Sequence, residues 1–129
     1  MAEKHVVRTD RAPGPFQGAP YNQAIRCGDF VFVAGQLGVS LETGELVGPG
    51  IAEQTEQALR NLAAILEAAG SGLDKLVKTT VFLVHLADFA EMNEVYARFV
   101  GDRPPARSTV GIAQLPVGGR VEIEAIAHV

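Results

Sequence analysis

Cysteine is almost missing from this chain, and that scarcity removes two classes of function at once. Cys27 is the only thiol among 129 residues, so neither an intramolecular disulfide framework nor a cysteine-based zinc site can form. Positive charge is scarce too. Eleven lysines and arginines against 15 acids leave a net charge of −4, and no basic run occurs. A protein binding nucleic acid without regard to sequence needs a basic field that displaces phosphate counterions, so no nucleic-acid partner is expected. Long apolar runs are absent as well, and the start, MAEKHVVRTD, lacks the apolar centre of a secretory signal. The expectation is a soluble cytoplasmic protein with no membrane partner. His5, His85 and His128 lack metal-ligand spacing to one another or to carboxylates, which predicts no metal site. Ser108 has no partnered histidine for acyl transfer. Gly118 and Gly119 lie outside the strand-to-helix context that a phosphate cradle requires.

What is present fits one compact domain spanning residues 1–129, with 47% hydrophobic content for a core. His5 to Arg8 reads as a short strand, followed by an irregular arm rich in Pro and Gly from Ala12 to Pro20. Tyr21 to Arg26 and Phe30 to Ala34 read as a hairpin turning at Cys27-Gly28-Asp29. Gly35 and Gly38 then interrupt the pattern, which predicts a bulge or a close backbone approach by a ligand. From Ile51 the period changes to three and four, through Thr55, Ala58, Leu59, Leu62, Ile65, Leu66 and Ala69. This is an amphipathic helix, ended by Gly70. Leu76 to Val84 reads as a central strand, apolar on both sides apart from its threonines and Lys78. Asp88 and Glu91 resemble a capping box for a second helix whose stripe is Phe89, Met92, Val95, Tyr96 and Phe99. The expected fold is α+β, with two helices on one face of a mixed sheet.

The stretch from Pro104 to Ala127 concentrates the candidate chemistry. Arg107 to Leu115 and Val121 to Val129 alternate like two strands of a hairpin turning at Pro116 to Gly119. Pairing them about that turn sets opposite residues whose numbers sum to about 235. Arg107, Thr109, Gly111 and Ala113 then share a face with Glu122, Glu124, Ile126 and His128, while Val110, Ile112, Val121 and Ile123 face the helices. Arg107 and Glu122 would still lie roughly 20 Å apart along such a hairpin. If both serve one pocket, one of them comes from a neighbouring copy, which predicts a homo-oligomer with interface sites. A planar guanidinium at a strand start suits a bidentate carboxylate, and a surface ion pair accounts for Arg107 equally well. Glu122 and Glu124 suit acid-base work, although the guarding of an edge strand is the plainer reading. Tyr21, at the head of its strand, could contact a ligand or simply pack. Cys27 reads as structural.

The segment PARSTVGIAQLPVGGRVEIEAIA, Pro105 to Ala127, resembles the motif of the RidA (YjgF) family of enamine and imine deaminases. Pro20-Tyr21-Asn22-Gln23-Ala24 is similar to that family's Pro-Tyr-Ser-Gln-Ala, and Ala34-Gly35-Gln36 to its Ser-Gly-Gln. Val77 to Phe82 resembles its central strand, and Asp88-Phe89 with Asn93 and Tyr96 its second helix. The resemblance implies a chorismate-mutase-like fold, a homotrimer with clefts between subunits, and small 2-imino and 2-oxo acids as partners. It further implies that Arg107 clamps the substrate carboxylate, that Glu122 positions water, and that Tyr21 and Asn93 line the cleft. Gly35 and Thr109 would present backbone groups. No metal, cofactor or covalent nucleophile is required. Ala34 lacks the hydroxyl of the family's common serine, Thr109 stands where some members have cysteine, and Asn22 replaces serine. These departures keep a non-catalytic carboxylate-binding or regulatory protein open as the alternative.

Overall fold

The computed structural model describes residues 3–129. Six strands form one sheet: β1 (Lys4–Val7), β2 (Ala24–Cys27), β3 (Phe30–Leu37), β4 (Leu76–Leu83), β5 (Ala106–Gly111) and β6 (Val121–His128), in the order β1-β2-β3-β6-β4-β5. All neighbours are antiparallel except β4 and β5, which run parallel. Two helices, α1 (Ile51–Ala68) and α2 (Phe89–Val100), cover one face. That is the expected α+β arrangement of a mixed sheet with helices on a single side.

The core lies between that face and the helices. Leu59, Leu62, Ile65 and Leu66 of α1 and Met92 of α2 pack on Val31, Val81, Leu83, Val121 and Ile123, all sealed from solvent. Leu37 and Val39 are also buried but stand outside this cluster. Apolar side chains at helical spacing leave water together on one stripe, which is why the 51–68 pattern folds as a single helix. Gly50 donates its N–H to the Glu53 carboxylate at 2.8 Å to start it. At the other end Gly70 takes φ +83° and Ser71 donates back to the Leu66 carbonyl at 2.8 Å, a left-handed stop. The β2–β3 hairpin forms with Gly28 at φ +61°. The expected bulge is present too, as a register shift between Val33 and Gln36.

Three expectations fail. First, β5 and β6 are not a hairpin: β4 lies between them, parallel to β5 and antiparallel to β6. The α2 crossover returns the chain to the outer side of β4, and residues 112–120 then travel back over the sheet end to reach the β6 position. Second, the faces change. Arg107 is level with Thr79, which is level with Ala125, whereas Glu122 is level with Phe82. Thr79 and Phe82 differ by three positions, so Arg107 and Thr109 face the helices while Glu122 and Val110 occupy the open face. Third, Asp88 makes no side-chain cap. Its carboxylate is taken by Arg120 instead, with Nη2 to Oδ1 at 2.8 Å and Nε to Oδ2 at 3.1 Å.

The open face exposes apolar side chains among polar ones: Phe30 and Phe32 of β3 are each 45% exposed, and Val6 and Val110 are exposed on the two edge strands, β1 and β5. Among the described residues, no helix is long and apolar enough to cross a membrane.

Candidate functional site

The residues singled out from the sequence collect into two groups, separated by the sheet itself. One group forms where β5 meets α2. Arg107 rests its guanidinium on the ring of Tyr96, 4.8 Å from the centroid, with the ring of Phe89 at 5.5 Å. Asn93 lies on the same side of α2, four residues after Phe89 and three before Tyr96. Its Oδ1 is buried without a hydrogen-bond partner. Thr109 follows Arg107 on the helix-facing side of β5, level with Val81. Among the described residues Arg107 makes no ion pair; those formed by arginine involve Arg11, Arg60 and Arg120. The plain reading of Arg107 as half of a surface ion pair is therefore set aside.

The second group forms on β3 and β6. Glu122 is half-buried, and its carboxyl group lies against the backbone of Gly35, where no Cβ intervenes. Burial raises its pKa above the usual 4.5, and the nearby Glu124 carboxylate adds to the rise. Because β6 lies inside the sheet, between β3 and β4, the edge-guard reading of the two glutamates does not apply. Tyr21 precedes β2 rather than heading it, and its hydroxyl accepts the Phe16 N–H at 3.0 Å. Tyr21, Phe16, Gly35 and Gln36 border one narrow hollow.

One chain therefore brings Gly35 to Glu122, with Tyr21 bordering the same hollow as Gly35, and sets Arg107 and Thr109 on the helix-facing side of β5, while Asn93 lies on the side of α2 that carries Phe89 and Tyr96. It does not bring the two groups together. Counting three residues along β4 and two strands across puts the backbones of Arg107 and Glu122 roughly 14 Å apart, with their side chains on opposite faces. Among the described residues no three His, Cys, Asp or Glu side chains gather closely enough to hold a metal ion. Three members of these surroundings escaped the sequence reading. Tyr96 and Phe89 looked like core stripe, and Thr79, whose Oγ1 lies 2.6 Å from the Tyr96 hydroxyl, looked like strand filling. The threonines, which with Lys78 interrupt an otherwise apolar strand, were the one visible sign.

The family model described as Endoribonuclease L-PSP matches residues 11–129. The chain belongs to the RidA/YjgF family. Among its relatives is a RutC family protein of Pyrococcus abyssi, 49% identical over 97% of both chains. The human 2-iminobutanoate/2-iminopropanoate deaminase is 41% identical, over 96% of this chain and 89% of that one. Among solved structures, RidA from an Antarctic Psychrobacter superimposes with a TM-score of 0.92 at 43% identity, covering 97% of this chain and 99% of that one. TdcF of E. coli, solved with bound serine, gives 0.89 at 39% identity, covering 97% and 98%. These likenesses support the family's imine deaminase activity, and the expected fold class stands with them.

Proposed function

We propose that this protein hydrolyses reactive 2-imino acids, formed from enamines such as 2-aminoacrylate and 2-aminocrotonate, to 2-oxo acids and ammonia. The observation that carries the reading is Arg107, a guanidinium seated on aromatic rings with no acidic partner among the described residues. Its N–H donors match the two oxygens of a small carboxylate. The deaminase names of relatives and the serine held by a solved relative point to the same substrate class.

Orientation by the clamp supplies much of what so small a substrate needs. Water attacks C2 of the imine, and Glu122 accepts a proton from it as the C–O bond forms. Glu122 returns that proton to the nitrogen, which gives the carbinolamine; it then relays the hydroxyl proton to the same nitrogen as C=O forms and C–N breaks, so that the 2-oxo acid and ammonia leave. A carboxyl group shifted upward is a stronger base than an ordinary glutamate, closer to the working pH. Asn93, Thr109, Gly35 and Tyr21 shape the remaining walls of the cleft.

Because Arg107 and Glu122 point to opposite faces of one sheet, the working site joins the clamp of one copy to the glutamate of the next. A homotrimer closes such head-to-tail contacts into a ring. The exposed Phe30 and Phe32 supply an apolar surface for that contact. The test is ammonia release with enamine generated in situ by a threonine dehydratase. Arg107→Ala and Glu122→Gln should each abolish the acceleration; rates equal to the unsubstituted protein would end the proposal. A second reading, a carboxylate binder without turnover, is favoured by Ala34, which offers a methyl group where the family commonly has a hydroxyl. It predicts bound 2-oxo acid with ammonia release at background.

A further inference from the structure

We infer that Tyr96 is the positioning residue for the carboxylate clamp, and that Thr79 anchors it. This rests on the functional reading above, since it concerns how Arg107 is held. Thr79 and Arg107 are side by side in the parallel β4–β5 ladder, both facing the helices. Tyr96 descends from α2 onto this pair and touches both. Its hydroxyl lies 2.6 Å from Thr79 Oγ1, and its ring face meets the guanidinium at 4.8 Å. Thr79 is 0% and Tyr96 5% exposed. A buried tyrosine hydroxyl needs a polar partner, so the threonine fixes the height and tilt of the ring. An arginine side chain otherwise spreads over many rotamers. A guanidinium held against a ring face loses much of that freedom, and the ring takes none of the hydrogen-bonding capacity that a carboxylate needs. Phe89 adds a second, more exposed wall.

If Tyr96 only filled the core, its replacement would lower stability and leave the clamp unaffected. The experiment therefore reads the arginine directly. The Nε–Hε resonance of Arg107, assigned by its loss in Arg107→Ala, should sit upfield because the guanidinium carbon bonded to Nε lies over the Tyr96 ring, 4.8 Å from its centroid. In Tyr96→Leu it should move downfield, the affinity for 2-oxobutanoate should fall about tenfold, and KM for deamination should rise likewise with little change in kcat. Tyr96→Phe, which keeps ring and volume but loses the Thr79 bond, should shift all three in the same direction by less, and Thr79→Val should match it. A folded Tyr96→Leu with the original resonance, affinity and KM overturns the positioning role. Should Tyr96→Leu not fold, the same null result in Tyr96→Phe and Thr79→Val overturns it. Arg107→Ala that keeps its affinity for 2-oxobutanoate would sink the carboxylate-clamp reading itself, a different failure from loss in Arg107→Ala without loss in the Tyr96 variants.

Discussion

A Cβ placed on Gly35 would stand 2.7 Å from both the carboxyl carbon and Oε1 of Glu122. Glycine at this bulge is thus a condition for where the carboxylate sits. In Gly35→Ala the flexible end of Glu122 swings aside, because the clash is with side-chain atoms rather than backbone. Displacing a catalytic group by about 1 Å costs on the order of 10²-fold in rate. Gly35→Ala should therefore lose about that factor in kcat while its thermal midpoint stays close to the original, as paired kinetics and calorimetry would record.

The raised pKa of Glu122 has two consequences with opposite signs. In the proposed mechanism Glu122 acts in its ionised form, so the acidic limb of the kcat profile should have its midpoint above 4.5 and vanish in Glu122→Gln. Stability runs the other way. The folded state holds the proton more tightly than the unfolded state does, so the favourable contribution is full below pH 4.5 and is lost as pH rises through the folded value. At neutral pH Glu122→Gln should therefore unfold at higher denaturant than the parent, and the gap should close on acidification below 4.5.

Arg120 ties several parts of the molecule together. Besides its two bonds to Asp88, its backbone N–H donates to the Gln54 carboxamide oxygen at 2.8 Å and its Nη1 to the Pro49 carbonyl at 3.3 Å. Asp88 has 10% of its side chain exposed, so removing the guanidinium strands a mostly buried charge. Arg120→Ala should cost about 2–3 kcal/mol in denaturant unfolding. Arg120→Lys should recover only part, because an ammonium cannot reproduce the fork.

Val117 adopts φ +53° and is 58% exposed. A β-branched residue in the left-handed region is strained by about 1–3 kcal/mol, whereas asparagine tolerates it. With little burial to lose, Val117→Asn should raise the thermal midpoint by a few degrees, corresponding to about 1 kcal/mol.

The helices and the β2–β3 hairpin were legible in the sequence because their signals are local: a three-and-four period ended by Gly70, and a turn at Gly28 between β-forming runs. Glu122, Arg107 and Gly35 were legible as residues worth attention. Their spatial relation was not. Alternation gives each strand two faces but does not say which neighbour it pairs with, and a register changed by an odd number of residues exchanges the faces. Pairing β5 directly with β6 put Arg107 beside Glu122's side of the sheet; inserting β4 sends it to the other. The contacts of Tyr96 with Arg107 and of Asp88 with Arg120 join distant parts of the chain, and no short pattern announces them. Asp88 even carried a misleading local signal, a capping box whose carboxylate is spent on Arg120.

The separation of clamp and glutamate by a sheet also makes the protein divisible. In any ring that couples one copy's Arg107 to the next copy's Glu122, a trimer mixed from Arg107→Ala and Glu122→Gln protomers contains one junction with both side chains intact. Two preparations, each inert alone, should thus regain up to a third of full turnover per mixed ring after joint unfolding and reassembly.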